Sequence, residues 1–155
     1  MSSEAITKND LVAILTEAGI PDDGMQEQIN DILESLSVKT FDYTDFTYAT
    51  NFVPYSTTTG EENTPFAAKT GRIVNISGAY RNTANVAGVV IGKVPEGCEP
   101  LKDQRRIQQG SGVNRYLLTI RTNGDIVCAR YGTTSDSTVP ANSWLNIDCT
   151  YISKS

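Results

Sequence analysis

The chain has 155 residues, 13 Lys plus Arg against 18 Asp plus Glu, no histidine, and a formal net charge of -5. At 39% hydrophobic and 20% charged it has a globular rather than a disordered composition, and no apolar run approaches the ~18 residues a membrane helix needs. The missing histidine removes the commonest general base and metal ligand together, and the acidic total argues against a general nucleic-acid binder.

Charge divides the chain. Met1 to Asp45 holds ten acids and two bases, whereas Phe46 to Ser155 holds eight acids and eleven bases. The shift from -8 to +3 predicts two segments built by different rules, a helical one over 1–40 and a β domain over 41–155. Met1 to Asn9 shows no basic-then-apolar pattern, so no signal peptide is expected.

The first helix is predicted from Lys8 to about Ala18, capped by Thr7, with Leu11, Ile14, Leu15 and Ala18 on one apolar stripe. Gly19 and Ile20-Pro21 end it. Asp22 or Asp23 caps a second helix, whose stripe is Met25, Ile29, Ile32, Leu33 and Leu36. Helices of this length are marginal alone, so the stripes need a partner: each other, the following domain, or further copies of the chain.

From about Phe41, short apolar runs alternate with turn residues. The predicted strands are Thr44–Val53, Gly71–Ser77, Val86–Lys93, Gln104–Gln109, Asn114–Arg121, Asp125–Tyr131 and Ser143–Ile152. Tyr116, Leu118 and Ile120 share one face against Arg115, Thr119 and Arg121. Leu145, Ile147, Cys149 and Tyr151 share another. Asn123-Gly124 predicts a hairpin with a type I′ turn. The fold class is mainly β, an antiparallel, jelly-roll-like sandwich preceded by one or two short helices. Ser56 to Pro65, rich in Thr, Glu and Gly, is the expected mobile loop.

No constellation for catalysis, metal or cofactor stands out, and none is expected. Cys98, Cys128 and Cys149 lack CxxC spacing and a histidine partner, and read as buried or incidental. Glu61-Glu62 and Glu96 with Glu99 could pair as glycosidase carboxylates, but both fall in loops that read as solvated. Gln109-Gly110-Ser111-Gly112 lacks the following Lys of a phosphate loop and reads as a tight turn. Tyr80 and Tyr131 border turns and, with Arg81, are the candidate ligand-binding residues on an exposed face. Trp144 reads as packing. The arginines and lysines of the β segment read mainly as solvated strand positions, with contact to an anionic cell-surface polymer as the sharper alternative.

From about Thr70 to Ile152 the chain resembles a C-terminal β-sandwich domain found in tail-fibre, baseplate and head-fibre proteins of tailed bacteriophages. The matching pieces are Lys69 to Gly78, Ile91 to Pro100, Gln109 to Gly112, Thr122 to Ile126, Trp144 to Ile147, and Thr150-Tyr151. Cys98 departs from the pattern, in which an aromatic is more usual. The resemblance implies a virion protein, made in the host cytoplasm, that trimerises with itself. It would contact other virion proteins through its helices, with Leu11, Ile14, Leu15, Met25, Ile29, Ile32, Leu33 and Leu36 as the oligomerisation set. The function expected is a short fibre or tail/baseplate protein whose head binds a host-surface receptor or glycan, without nucleic-acid binding or membrane insertion. The alternatives are a purely architectural head-decoration protein, and a carbohydrate-binding module or glycan-degrading enzyme.

Overall fold

A computed structural model describes residues 8–19, 25–87, 90–132 and 138–155. The chain separates into two compact units, Met1–Ser37 and Val38–Ser155. The first contains α1 (Lys8–Glu17) and α2 (Met25–Leu36). Gly19, at φ 68, takes the left-handed conformation expected just past a helix end, and its amide donates to the Thr16 carbonyl. Ser37 closes α2, its hydroxyl and amide both donating to the Glu34 carbonyl. Thr7, Asp22 and Asp23, the expected caps, lie outside the described residues.

The second unit is mainly β, with antiparallel pairing throughout, as the alternating patterns predict. In chain order its strands are β1 (Val38–Phe41), β2 (Thr47–Tyr48), β3 (Phe52–Pro54), β4 (Phe66–Thr70), β5 (Ile73–Ser77), β6 (Ala79–Asn82) and β7 (Val86–Ala87). They continue with β8 (Val90–Lys93), β9 (Gln104–Gln109), β10 (Arg115–Ile120), β11 (Asp125–Ala129), β12 (Thr138–Val139), β13 (Trp144–Asn146) and β14 (Cys149–Ile152). One layer is the five-stranded sheet β2-β8-β11-β10-β9. The other joins a four-stranded sheet, β1-β4-β5-β14, to a three-stranded one, β13-β6-β3. β12 pairs with β7 alone.

The four- and three-stranded sheets share a long antiparallel pair. Register runs unbroken from Trp144 opposite Arg81 to Ile152 opposite Ile73. At the middle, the Ile147 amide donates to Gly78, and the Gly78 amide donates to Asp148 Oδ1. β3 and β4 occupy successive halves of the remaining edge, so the chain from 55 to 65 must leave the sheet and return over Gly78. A Cβ at Gly78 would lie 2.7 Å from Pro65 Cα, and its φ of 103 also requires glycine.

The core lies between the layers. Tyr80, Tyr116, Ile76, Leu118, Ile120, Leu145 and Ile147 are fully buried. Tyr80 crosses from β6 onto the bare Cα of Gly92 in β8, where an added Cβ would lie 2.7 Å from Tyr80 Cε2 and would strike the Thr47 carbonyl. Phe46 and Tyr48 close around the Tyr80 ring, at 6.4 and 4.7 Å between centroids. Tyr116 donates from β10 to the Asn146 carbonyl of β13, and Tyr151 donates to the Cys98 carbonyl at 2.6 Å.

Several expectations change in detail. Thr44–Val53 is two strands separated by a turn at Asn51 (φ 69), Val86–Lys93 is also two, and Ser143–Ile152 breaks at Ile147-Asp148. β1, β4, β6 and β12 were not expected. β4 (Phe-Ala-Ala-Lys-Thr) and β6 (Ala-Tyr-Arg-Asn) have little β-branched character, β1 and β12 are only four and two residues long, and all four are strands because tertiary partners recruit them. Thr119 lies between Arg105 and Val127 and is buried rather than solvated. At Asn123-Gly124 only Gly124 has positive φ, and its amide donates to Arg121. The hairpin therefore uses a type I turn closed by a glycine bulge, not type I′.

Two substitutions test this packing. Gly92→Ala should lower stability by ~1–3 kcal/mol or more by forcing the layers apart, read from the urea midpoint. Tyr80 Oη is buried and makes no hydrogen bond among the described residues, whereas Tyr116 Oη makes one. Tyr80→Phe should therefore be close to neutral, and Tyr116→Phe should cost about 1 kcal/mol.

Candidate functional site

The expected ligand face does not form. Tyr80 and Tyr131 are buried, Tyr80 against Gly92 and Tyr131 against the bare Cα of Gly110. Their position near turns reflects close approach of backbones, not access to solvent. Arg81 does remain exposed, in one row with half-buried Val53 and Trp144 across the three-stranded sheet.

The cysteines are free and buried. Burial raises the Cys128 thiol to about 12, and burial, partly offset by Lys69, raises Cys98 to about 11. Burial likewise raises Cys149. All three are held as neutral thiols near neutral pH, the opposite of an activated nucleophile. Several bases are committed to the fold. Lys69 Nζ donates to the Gly97 carbonyl at 2.7 Å, and the Arg72 guanidinium donates twice to the Ser153 carbonyl. These contacts tie the last residues to the sheet.

The concave site is elsewhere. A cleft of about 330 Å³ lies at one end of the outer face of the four-stranded sheet, where Phe66 and Ser77 stand opposite one another. β alternation places them outward, because Ala67 and Ile76 point into the core. The turn after β1 supplies Asp42 and Tyr43, and the loop between β3 and β4 supplies Glu61 and Glu62.

Both walls have internal hydrogen bonds. Asp42 Oδ1 accepts from the Thr44 amide at 2.7 Å and from its hydroxyl, and the Thr44 bonds hold the Asp42 pKa below its ordinary value. Tyr48 donates to the Tyr43 carbonyl at 2.7 Å. In the other wall Ser56 donates to Glu61 Oε2 and Thr64 to the Thr58 carbonyl. The loop's end is fixed by the Ala79 amide donating to Asn63. The stretch expected to be a mobile loop thus consists of hydrogen-bonded turns.

The cleft opens toward a shallower depression over the same sheet, with which it shares Glu62 and Ser77. Asn75 and Thr150 lie there, joined by a 2.8 Å hydrogen bond, with Arg106 alongside. Glu61 and Glu62 are solvent-exposed, unlike the desolvated acid of a glycosidase pair. Glu96 and Glu99 do not line this cleft. No group of three or more Cys, Asp and Glu among the described residues is placed to hold a metal ion.

Asp42, Tyr43 and Phe66 were missed by sequence reasoning. Their local context is that of a turn and a strand edge, and only strand pairing brings them to Glu61 and Glu62. Of the cleft's acids, the sequence raised only Glu61-Glu62, as a possible catalytic pair, and read both as solvated loop residues.

The fold has a solved counterpart. The receptor binding protein (gp15) of Listeria phage PSA aligns with a TM-score of 0.54 over 99% of this chain and 100% of that one, at 18% identity. At that identity the likeness establishes a shared fold. No protein-family model and no curated protein matches the chain.

The thiols generate a pH prediction. A thiol raised in the folded state contributes stability that is fully present below its unfolded value and is lost as pH rises toward the folded one. Urea midpoints should be nearly flat from about pH 6 to 8, where no histidine titrates. They should fall above pH about 9, as the stabilisation from the buried Cys128 and Cys98 thiols is lost between about 9 and 12, joined above the ordinary tyrosine value of 10.0 by Tyr80, Tyr116 and Tyr151, which burial also raises. A midpoint that rises over that interval would contradict the burial of the thiols.

Proposed function

We propose that this chain is a bacteriophage virion protein that binds the surface of the host bacterium. The observation that carries this is the end-to-end likeness in fold to a phage receptor binding protein, which takes in nearly the whole of both chains. The likeness exceeds the stretch from Thr70 to Ile152 on which the sequence resemblance rested. A β unit suits recognition, since a rigid scaffold can hold its connecting loops in a fixed geometry.

The same reading includes self-assembly into a homotrimer, with the helices also meeting other virion proteins. Leu36 is 65% exposed, and Ile14 and Ile32 are 57% exposed, while Ile29 and Leu33 are half-buried. The side chains of Leu11, Leu15 and Met25 lie outside the described residues. A helical face that leaves large apolar side chains in water supports burial against another chain. Val38, Ile73 and Ile152 add an exposed apolar row across the four-stranded sheet. Several heads on one particle would convert weak single contacts into firm attachment.

The host-binding reading is checked by adding a fluorescent fusion of the full chain to a panel of bacterial strains that includes Listeria. Saturable binding to some strains, competed by unlabelled protein, is the expected outcome. Binding to none, or equal unsaturable binding to all, removes the reading. For assembly, light scattering on the eluted protein should give three times the 16.8 kDa chain mass. Leu36→Asp should shift that mass downward, and a wild-type monomer would refute the trimer.

A further inference from the structure

We infer that the cleft floored by Phe66 and Ser77 binds a non-anionic pyranose unit of a host-surface glycan, an inference that rests on the host-binding function proposed above. Its size favours a single sugar ring: about 330 Å³ is at the low end of the ~300–1,000 Å³ range of small-molecule sites. Its chemistry fits the same ligand. Phe66 is 39% exposed and lines the cleft, as does Tyr43. A pyranose has one apolar face of C–H groups that can lie on such a ring, and a perimeter of hydroxyls that needs acceptors.

The acceptors surround the floor. Asp42, Glu61 and Glu62 are on two different walls, with the Ser77 hydroxyl below them. Charge-assisted hydrogen bonds from sugar hydroxyls to carboxylates are stronger than neutral ones, so a few can orient a ring that the aromatic floor holds loosely. The carboxylates come from two walls, so they can meet different hydroxyls of one ring.

Charge decides the class. The lining includes three carboxylates and no Lys or Arg. A phosphorylated or uronic sugar would bring a like charge among them, with Arg106 in the adjoining depression and outside the lining, a penalty that low salt would magnify. The cleft therefore selects neutral or amino sugars. This reverses the expectation from the mildly basic composition of the β segment, whose bases lie outside the cleft, some tied to backbone carbonyls.

The test is saturation-transfer NMR titration of the full chain with four methyl glycosides: glucose, galactose, N-acetylglucosamine and glucosamine. Glucose 6-phosphate and glucuronate serve as anionic comparators. At least one of the four should bind with affinity on the order of millimolar. The anionic sugars should bind at least about tenfold more weakly at low salt, and the gap should narrow as salt is added. Phe66→Ala should weaken binding by about tenfold. Glu62→Gln, an exposed substitution that should leave folding unchanged, should narrow the neutral-to-anionic gap.

The inference is overturned if none of the four binds, if an anionic sugar binds as well, or if both variants bind like wild type. The cell-binding assay separates this from the broader reading. Wild-type adsorption that both variants retain would defeat the cleft and leave host binding intact. Absent adsorption with sugar binding in the cleft would defeat host binding and leave the cleft.

Discussion

The contact on which the β unit depends is the passage of backbone over Gly78. At that point the long pair formed by β5-β6 and β13-β14 keeps its register, yet its outer edge changes partner from β4 to β3. The chain linking those two strands leaves the edge and returns with the Thr64-Pro65 backbone against Gly78, where a side chain would clash. Gly78 also accepts from Ile147 and donates to Asp148, so the crossing does not leave these polar groups unpaired. Everything in the cleft wall from Thr58 to Pro65 is positioned by this crossing.

Two residues further on, the same strand sets the distance between layers. Tyr80 reaches across the core only because Gly92 offers no side chain, and Phe46 and Tyr48 then pack around its ring. The pairing of a large aromatic with a bare Cα recurs at Tyr131 and Gly110. Such pairs fill the core at crystalline density while letting strands approach closely. Two other core tyrosines are accommodated through their hydroxyls. Tyr116 and Tyr151 use their hydroxyls to bond carbonyls on neighbouring elements.

The outer face of the four-stranded sheet has two chemically distinct ends. One carries the apolar row of Val38, Ile73 and Ile152, and the other carries the acidic, aromatic cleft. A single sheet thus offers one surface suited to burial against protein and another suited to a small polar ligand. Strand pairing makes this possible, since it aligns residues from four separate parts of the chain into transverse rows.

What the sequence determined by itself was local. Helical spacing and Gly19 placed α1 and α2 nearly to the residue. Period-two alternation identified the inward face of β10 and of the last two strands, because a side chain's face follows from its parity along a strand. Gln104 to Gln109 emerged with its boundaries intact. Burial of Cys149 was legible from the apolar face it shares with Leu145, Ile147 and Tyr151, whereas Cys98, between Gly97 and Glu99, is buried by contacts distant in sequence. The tertiary structure alone decided which tyrosines would be inside, since Tyr80 and Tyr131 are buried by glycines distant in sequence. It alone decided that Asp42, Glu62 and Phe66 share a cleft. Their meeting depends on the order β1-β4-β5-β14 and on the crossing at Gly78, and no local pattern encodes contacts between segments that far apart.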